Sequence, residues 1–193
     1  LEGAVTIDLA TIAATQFAVC HTNADTNDEP IGDCSGAPTA DYAEQYPAES
    51  GVTYGDVVVP GSQEVTTTEG HTITKLVKSS EPYQGPIVGI VSDNYGDFTS
   101  AGYNIAAADN PMPVALVGRV PVKVSHEGGD IHVGDYLTTS SSPGRAMKAS
   151  KVGRVIGMAL QNWDGVSDTL MVQVHNSWYM GDVIGTDGVS TLV

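Results

Sequence analysis

From residue 51 onward, apolar and β-branched residues come in short runs, each closed by Gly, Pro, Asp or Asn. Runs interrupted this often cannot build the amphipathic stripe of a helix, which needs about ten residues or more. They predict strands over Asp56–Val59, Thr72–Val77, Ile87–Ser92, Pro113–Val117, Val120–Val124, Tyr136–Thr139, Ala146–Ala149, Val155–Leu160 and Thr169–Val174. Many short strands without intervening helices indicate an all-β fold, a short-strand barrel or sandwich, and exclude a βαβ sheet. The 22 Gly and 10 Pro supply the turns between them.

A weak internal pseudo-repeat runs through these strands. Tyr54-Gly55-Asp56-Val57-Val58, Lys75-Leu76-Val77-Lys78-Ser79 and Ile87-Val88-Gly89-Ile90 are echoed in the same order by Val133-Gly134-Asp135-Tyr136-Leu137, Arg145-Ala146-Met147-Lys148-Ala149 and Val155-Ile156-Gly157-Met158. Each copy reads as a Gly-Asp turn feeding a strand, a second strand with an outward Lys, and a third opened by Gly for close backbone approach. Gly55 and Gly134 are expected at positive φ, with Asp56 and Asp135 bonding their own turns.

The chain divides by composition into an N-terminal strand and loop over 1–50, a barrel-like domain of two related units over 51–180, and a Gly- and Asp-rich tail over 181–193. The stretch from Thr6 to Val19 fits strand somewhat better than helix, and Ala40–Tyr46 reads as one ordered segment inside a loop region. Leu1 has neither an initiator Met nor a basic leader before it, so the chain reads as a processed or excised piece. A net charge of -15 disfavours nucleic acid and anionic membranes as partners. No apolar run approaches the ~20 residues needed to span a bilayer.

Cys20 and Cys34 flank a polar loop, and joining them would contribute about 3 kcal/mol by loop-closure entropy. A disulfide implies an extracellular setting; two separate buried thiols are the alternative. Inside that loop Asn23, Asp25, Asn27, Asp28 and Glu29 offer oxygen ligands at close spacing, a set from which Ca2+ could draw, although it lacks the glycine and terminal Glu of an EF-hand. A plain solvated loop competes with that reading, and no other cofactor is implied. His126 and His132 flank Glu127-Gly128-Gly129-Asp130 and could meet across a hairpin, with a solvent-facing hairpin pair as the favoured reading, and Ser140-Ser141-Ser142 before Pro143-Gly144 reads as a turn rather than a nucleophile. No nucleophile elbow, phosphate loop or dinucleotide fingerprint occurs.

Thr39-Ala40-Asp41-Tyr42-Ala43-Glu44-Gln45-Tyr46-Pro47 resembles the signature of the autoproteolytic intramolecular-chaperone domain of phage neck-appendage and tail-spike proteins, the peptidase G2 group. Gly118–Val124, Gly134–Leu137 and Gly153–Leu160 follow in the order that group shows. Ser35–Glu44 and Ser140–Ala149 also look like C-terminal modules of repetitive bacterial surface proteins. The resemblance implies a terminal module of a longer extracellular, surface or virion-appendage protein that registers, folds or caps it, and that forms a homo-oligomer, a trimer. It also implies that, if self-cleavage occurs, Asp41 and Glu44 are the acids. An adhesin that stacks sugars on Trp163, Trp178, Tyr83, Tyr95 or Tyr103 is the third reading, with ordinary packing of those rings as its competitor.

Overall fold

In a computed structural model the described residues are 19–21, 31–33, 41–93 and 105–181. The chain separates into two compact bodies, Leu1–Pro38 and Thr39–Val193. In the first, β1 (Val19–His21) pairs antiparallel with β2 (Ile31–Asp33), Cys20 opposite Gly32. Cys34 and the oxygen-rich set Asn23, Asp25, Asn27 and Glu29 lie outside the described residues, as do most of the strand expected before Val19 and the tail beyond Gly181.

The second body is one antiparallel sheet that curls as a half-barrel. Its strands are β3 (Asp41–Pro47), β4 (Val57–Thr66), β5 (Thr72–Lys78), β6 (Gly89–Val91), β7 (Pro111–Lys123), β8 (Tyr136–Thr139), β9 (Ala146–Lys148), β10 (Gly153–Ala159) and β11 (Thr169–Tyr179). The order is β5-β4-β6-β7-β11-β10-β8-β9, with β3 on the other edge of β7. The break between the two bodies falls at 38/39, and Asp41–Pro47 is a full strand paired from Pro111 to Gly118. The two strands expected over 113–117 and 120–124 are one. Gly118, at φ 123, bends the strand without ending it, and β7 leaves Leu116 unpaired opposite Tyr42 and Ala43, a bulge that turns the strand while keeping it continuous.

The pseudo-repeat extends through the whole sheet, with β7 shared. The first repeat is β3 to β7 and the second is β7 to β11. Val58 pairs with Lys78 as Leu137 pairs with Lys148. Val57 pairs with Ile90 as Tyr136 pairs with Met158, and Ile90 with Ala115 as Met158 with Gln173. Each repeat closes on itself through a parallel bridge, Ala48 to Leu76 and Val124 to Ala146. The closing bonds match: Glu49 N–H donates to Leu76 C=O at 2.9 Å, and Ser125 N–H to Ala146 C=O at 2.8 Å.

The cores match as well. Ala48, Val52, Val58, Leu76, Val91 and Val114 fill the first repeat. Val124, Ile131, Leu137, Ala146, Ala159 and Val172 occupy the same places in the second. Alternation along each strand sends the intervening residues to the other face. In the first repeat these are Ala43, Val57, Ile90 and Ala115, all fully buried because they join the core of the second repeat. Each fully buried Val or Ile contributes about 1.5–3 kcal/mol, so this shared face locks the repeats together.

Candidate functional site

The Gly-Asp turns are the most ordered polar features of the sheet. Gly55 has φ 82 and Gly134 has φ 90, a conformation that costs glycine little. In the first turn the Asp56 carboxylate accepts from the Thr53 N–H at 2.8 Å; in the second, Asp135 accepts from the His132 N–H at 2.7 Å. Gly55 N–H donates to Val91 C=O, and Gly134 N–H to Ala159 C=O. The lysines expected to point outward fold back instead onto the Asp of their own repeat, Lys78 onto Asp56 at 3.1 Å and Lys148 onto Asp135 at 2.9 Å.

Only the first turn is sealed. Asp56 is fully buried and takes a second cation, Lys123 from the end of β7, at 2.8 Å, while Lys123 also donates to Thr53 Oγ1 at 2.7 Å. Gly144 from the second repeat closes over it, since any Cβ there would collide with the Asp56 carboxylate. Burial, the largest influence, pushes the Asp56 carboxyl up, but the Lys123 hydrogen bond, the Thr53 N–H and Lys78 together hold it below the ordinary aspartate value. The cluster is an anchor in which every acceptor is engaged. Lys123 and Thr53 were not singled out in the sequence because they lie far apart in it, and only the shared strand brings them together.

Asp41 and Glu44 part company. Three positions apart on one strand, they face opposite sides of β3. Asp41 shares its side with buried Ala43, whereas Glu44 sits near Tyr42 and Tyr46, whose phenol it helps to push up after burial itself. The Asp41 carboxyl is buried with neither oxygen in hydrogen-bond geometry. Burial raises its pKa; the neighbouring Ser92 side chain offsets part of this without meeting hydrogen-bond geometry, and Asp93 adds to the rise.

His126 and His132 do not meet. His126 sits in a short 3-10 turn, His126–Gly128, stacked on Trp163 at 4.1 Å and bonded to Gly165 C=O, while His132 flanks Asp135. Ser140 Oγ donates to Arg145 C=O within a turn. Trp163 packs against the core and donates to Ser167 C=O. Tyr83, at φ 56, lays its ring against Gly153 and accepts from Ser150 N–H at 2.7 Å, pinning the first repeat to the second. Trp178 is 56% exposed, and Tyr95 and Tyr103 lie outside the described residues. Among the described residues no three His, Cys, Asp or Glu side chains converge to hold a metal, and no helix is long and apolar enough to cross a membrane.

Neither a protein-family profile nor a curated protein matches the chain.

Proposed function

We propose that the chain is a non-catalytic module of an extracellular fibrous or surface protein, which caps, registers or helps to fold its parent and associates with copies of itself. The observation that carries this reading is the divergence of Asp41 and Glu44: acids on opposite faces of one strand cannot both reach a single scissile bond. The other buried charge cluster, around Asp56, is saturated by its own lysines and turn. The extracellular setting draws on the resemblance of the Asp41–Glu44 segment and on the paired reading of Cys20 and Cys34. The test is expression of the chain extended upstream by several dozen native residues: one band on a denaturing gel fits the proposal, and two bands overturn its non-catalytic part.

A second reading, a single-turnover autoproteolytic chaperone, is favoured by one observation. Asp41 is buried with its pKa raised by that burial, the direction that suits a proton donor. In the extended chain that reading requires cleavage that Asp41→Asn abolishes.

A further inference from the structure

The two repeats differ in what covers them. Ile156, Val122 and Leu170 in the second repeat are fully buried, because the outward face of the first repeat, Val57, Ile90 and Ala115, closes over that core. Their counterparts in the first repeat, Val88, Tyr46 and Met112, are only partly buried and line the rim of its core. Among the described residues nothing closes over the outward face of the second repeat either. At the places of Val57, Ile90 and Ala115 stand Tyr136, Met158 and Gln173, all only partly buried, and Tyr136 continues into an aromatic row with His175 at 6.1 Å and Tyr179 at 5.5 Å. Among the described residues, one repeat therefore has a rim without a lid, and the other has a lid without a rim.

We infer that a second copy of this chain fills both positions, the outward face of the second repeat in one copy closing the rim of the first repeat in the next, as the first repeat closes the second within the chain. The internal contact is the argument for the occupant, since the same backbone positions already form this joint once. The residues differ as the two situations demand. The permanent internal joint uses Val, Ile and Ala, while the outer face uses Tyr, Met, Gln and His, side chains that tolerate water when free and bury well when docked. Because the two surfaces are different, the contact is head-to-tail, and it closes into a ring or runs on as a filament.

This rests on the self-association in the proposed function and names its surfaces. The whole chain is sized by light scattering and sedimentation as wild type, as Met112→Glu on the rim and as Met158→Glu on the face. The inference expects an oligomeric wild type and two variants at the 20.0 kDa of a single chain. Mixing the two variants should restore a dimer and nothing larger, because one intact rim meets one intact face. Unchanged circular dichroism and melting show that the variants fold; should either fail to fold, Met112→Gln and Met158→Gln repeat the comparison with a smaller perturbation. A monomeric wild type, an oligomer that survives both substitutions, or a mixture that stays monomeric overturns the inference. So does a monomeric wild type that binds glycans through Trp178. None of these outcomes alters the one-band result, so the non-catalytic reading stands or falls separately.

Discussion

Asp56 and Asp135 occupy the same turn, receive the same N–H and face a lysine from the same strand position, yet they sit in different media. Asp56 is fully buried beneath Gly144 with two ammonium groups on it, whereas the Asp135 side chain keeps 20% of its surface and shares its site with His132. The local turn comes from Gly-Asp chemistry; its energetic weight comes from position, because β7 carries Lys123 across the junction between repeats and no later strand among the described residues does so for Asp135. Removing Asp56 strands two cations, one of them 19% exposed. Asp56→Ala is therefore expected to cost about 3 kcal/mol, the low end for breaking a buried pair, since Lys78 can reach water. Asp135→Ala should cost about 1 kcal/mol, the worth of a turn acceptor and an exposed ion pair. Urea denaturation of both variants checks this, and equal losses would break the comparison.

Where the repeats are alike, substitutions should cost alike. A methyl added at Gly89 runs into the carbonyl oxygen of Ala115, and one at Gly157 into that of Gln173, and these are corresponding residues of β7 and β11. Backbone cannot step aside as a side chain can, so Gly89→Ala and Gly157→Ala should each lose about 2 kcal/mol. Gly70→Ala makes a useful contrast: it has open space but a φ of 86, so it meets only the conformational cost of that turn, about 1 kcal/mol. Thermal melts of the three distinguish crowding from conformation. A tolerated Gly157→Ala beside a damaging Gly89→Ala would mean that the two approaches are not equivalent.

The repeat was legible in the sequence where it rests on local rules. Gly-Asp pairs, a Lys two strands on and a Gly opening the third strand are all short-range signals, and the strand over Tyr136–Thr139 coincides with β8. What the sequence concealed is set by distance along the chain. Nothing near Gly118 announces that β7 changes partners there, from β3 and β6 to β11. A glycine between apolar runs reads as a turn, and only the strands paired on either side of Gly118 decide that β7 runs on through it. The facing of the acid pair depends on element type in the same way: Asp41 and Glu44 stand three positions apart, and the alternation of a strand sends them to opposite sides.

Asp41 is the counter-case to Asp56, a buried carboxyl without a cation, and it yields the smallest and most specific test. Its pKa in the folded chain is raised above 3.8 by burial, with Asp93 adding to the rise, so the folded state holds that proton more tightly than the unfolded state. Its contribution is then fully present below about pH 4, the unfolded aspartate value, and is lost as pH rises through the folded value. Asp56 runs the other way: its folded pKa is lowered, so its contribution is present above about pH 4 and lost as pH falls through the folded value. The two partly cancel in the wild type. Asp41→Asn keeps the shape and removes the ionisation, so at pH 7 it should gain about 1 kcal/mol, the low end of the cost of a buried unsatisfied group. At pH 3 it should gain nothing, since wild-type Asp41 is already neutral there. The variant's stability should therefore climb with pH between those points more steeply than the wild type's, leaving the Asp56 titration exposed. Urea midpoints at pH 3 and pH 7 decide the matter, and a variant that is less stable than wild type at pH 7 would show that the Asp41 carboxylate is held by a partner after all.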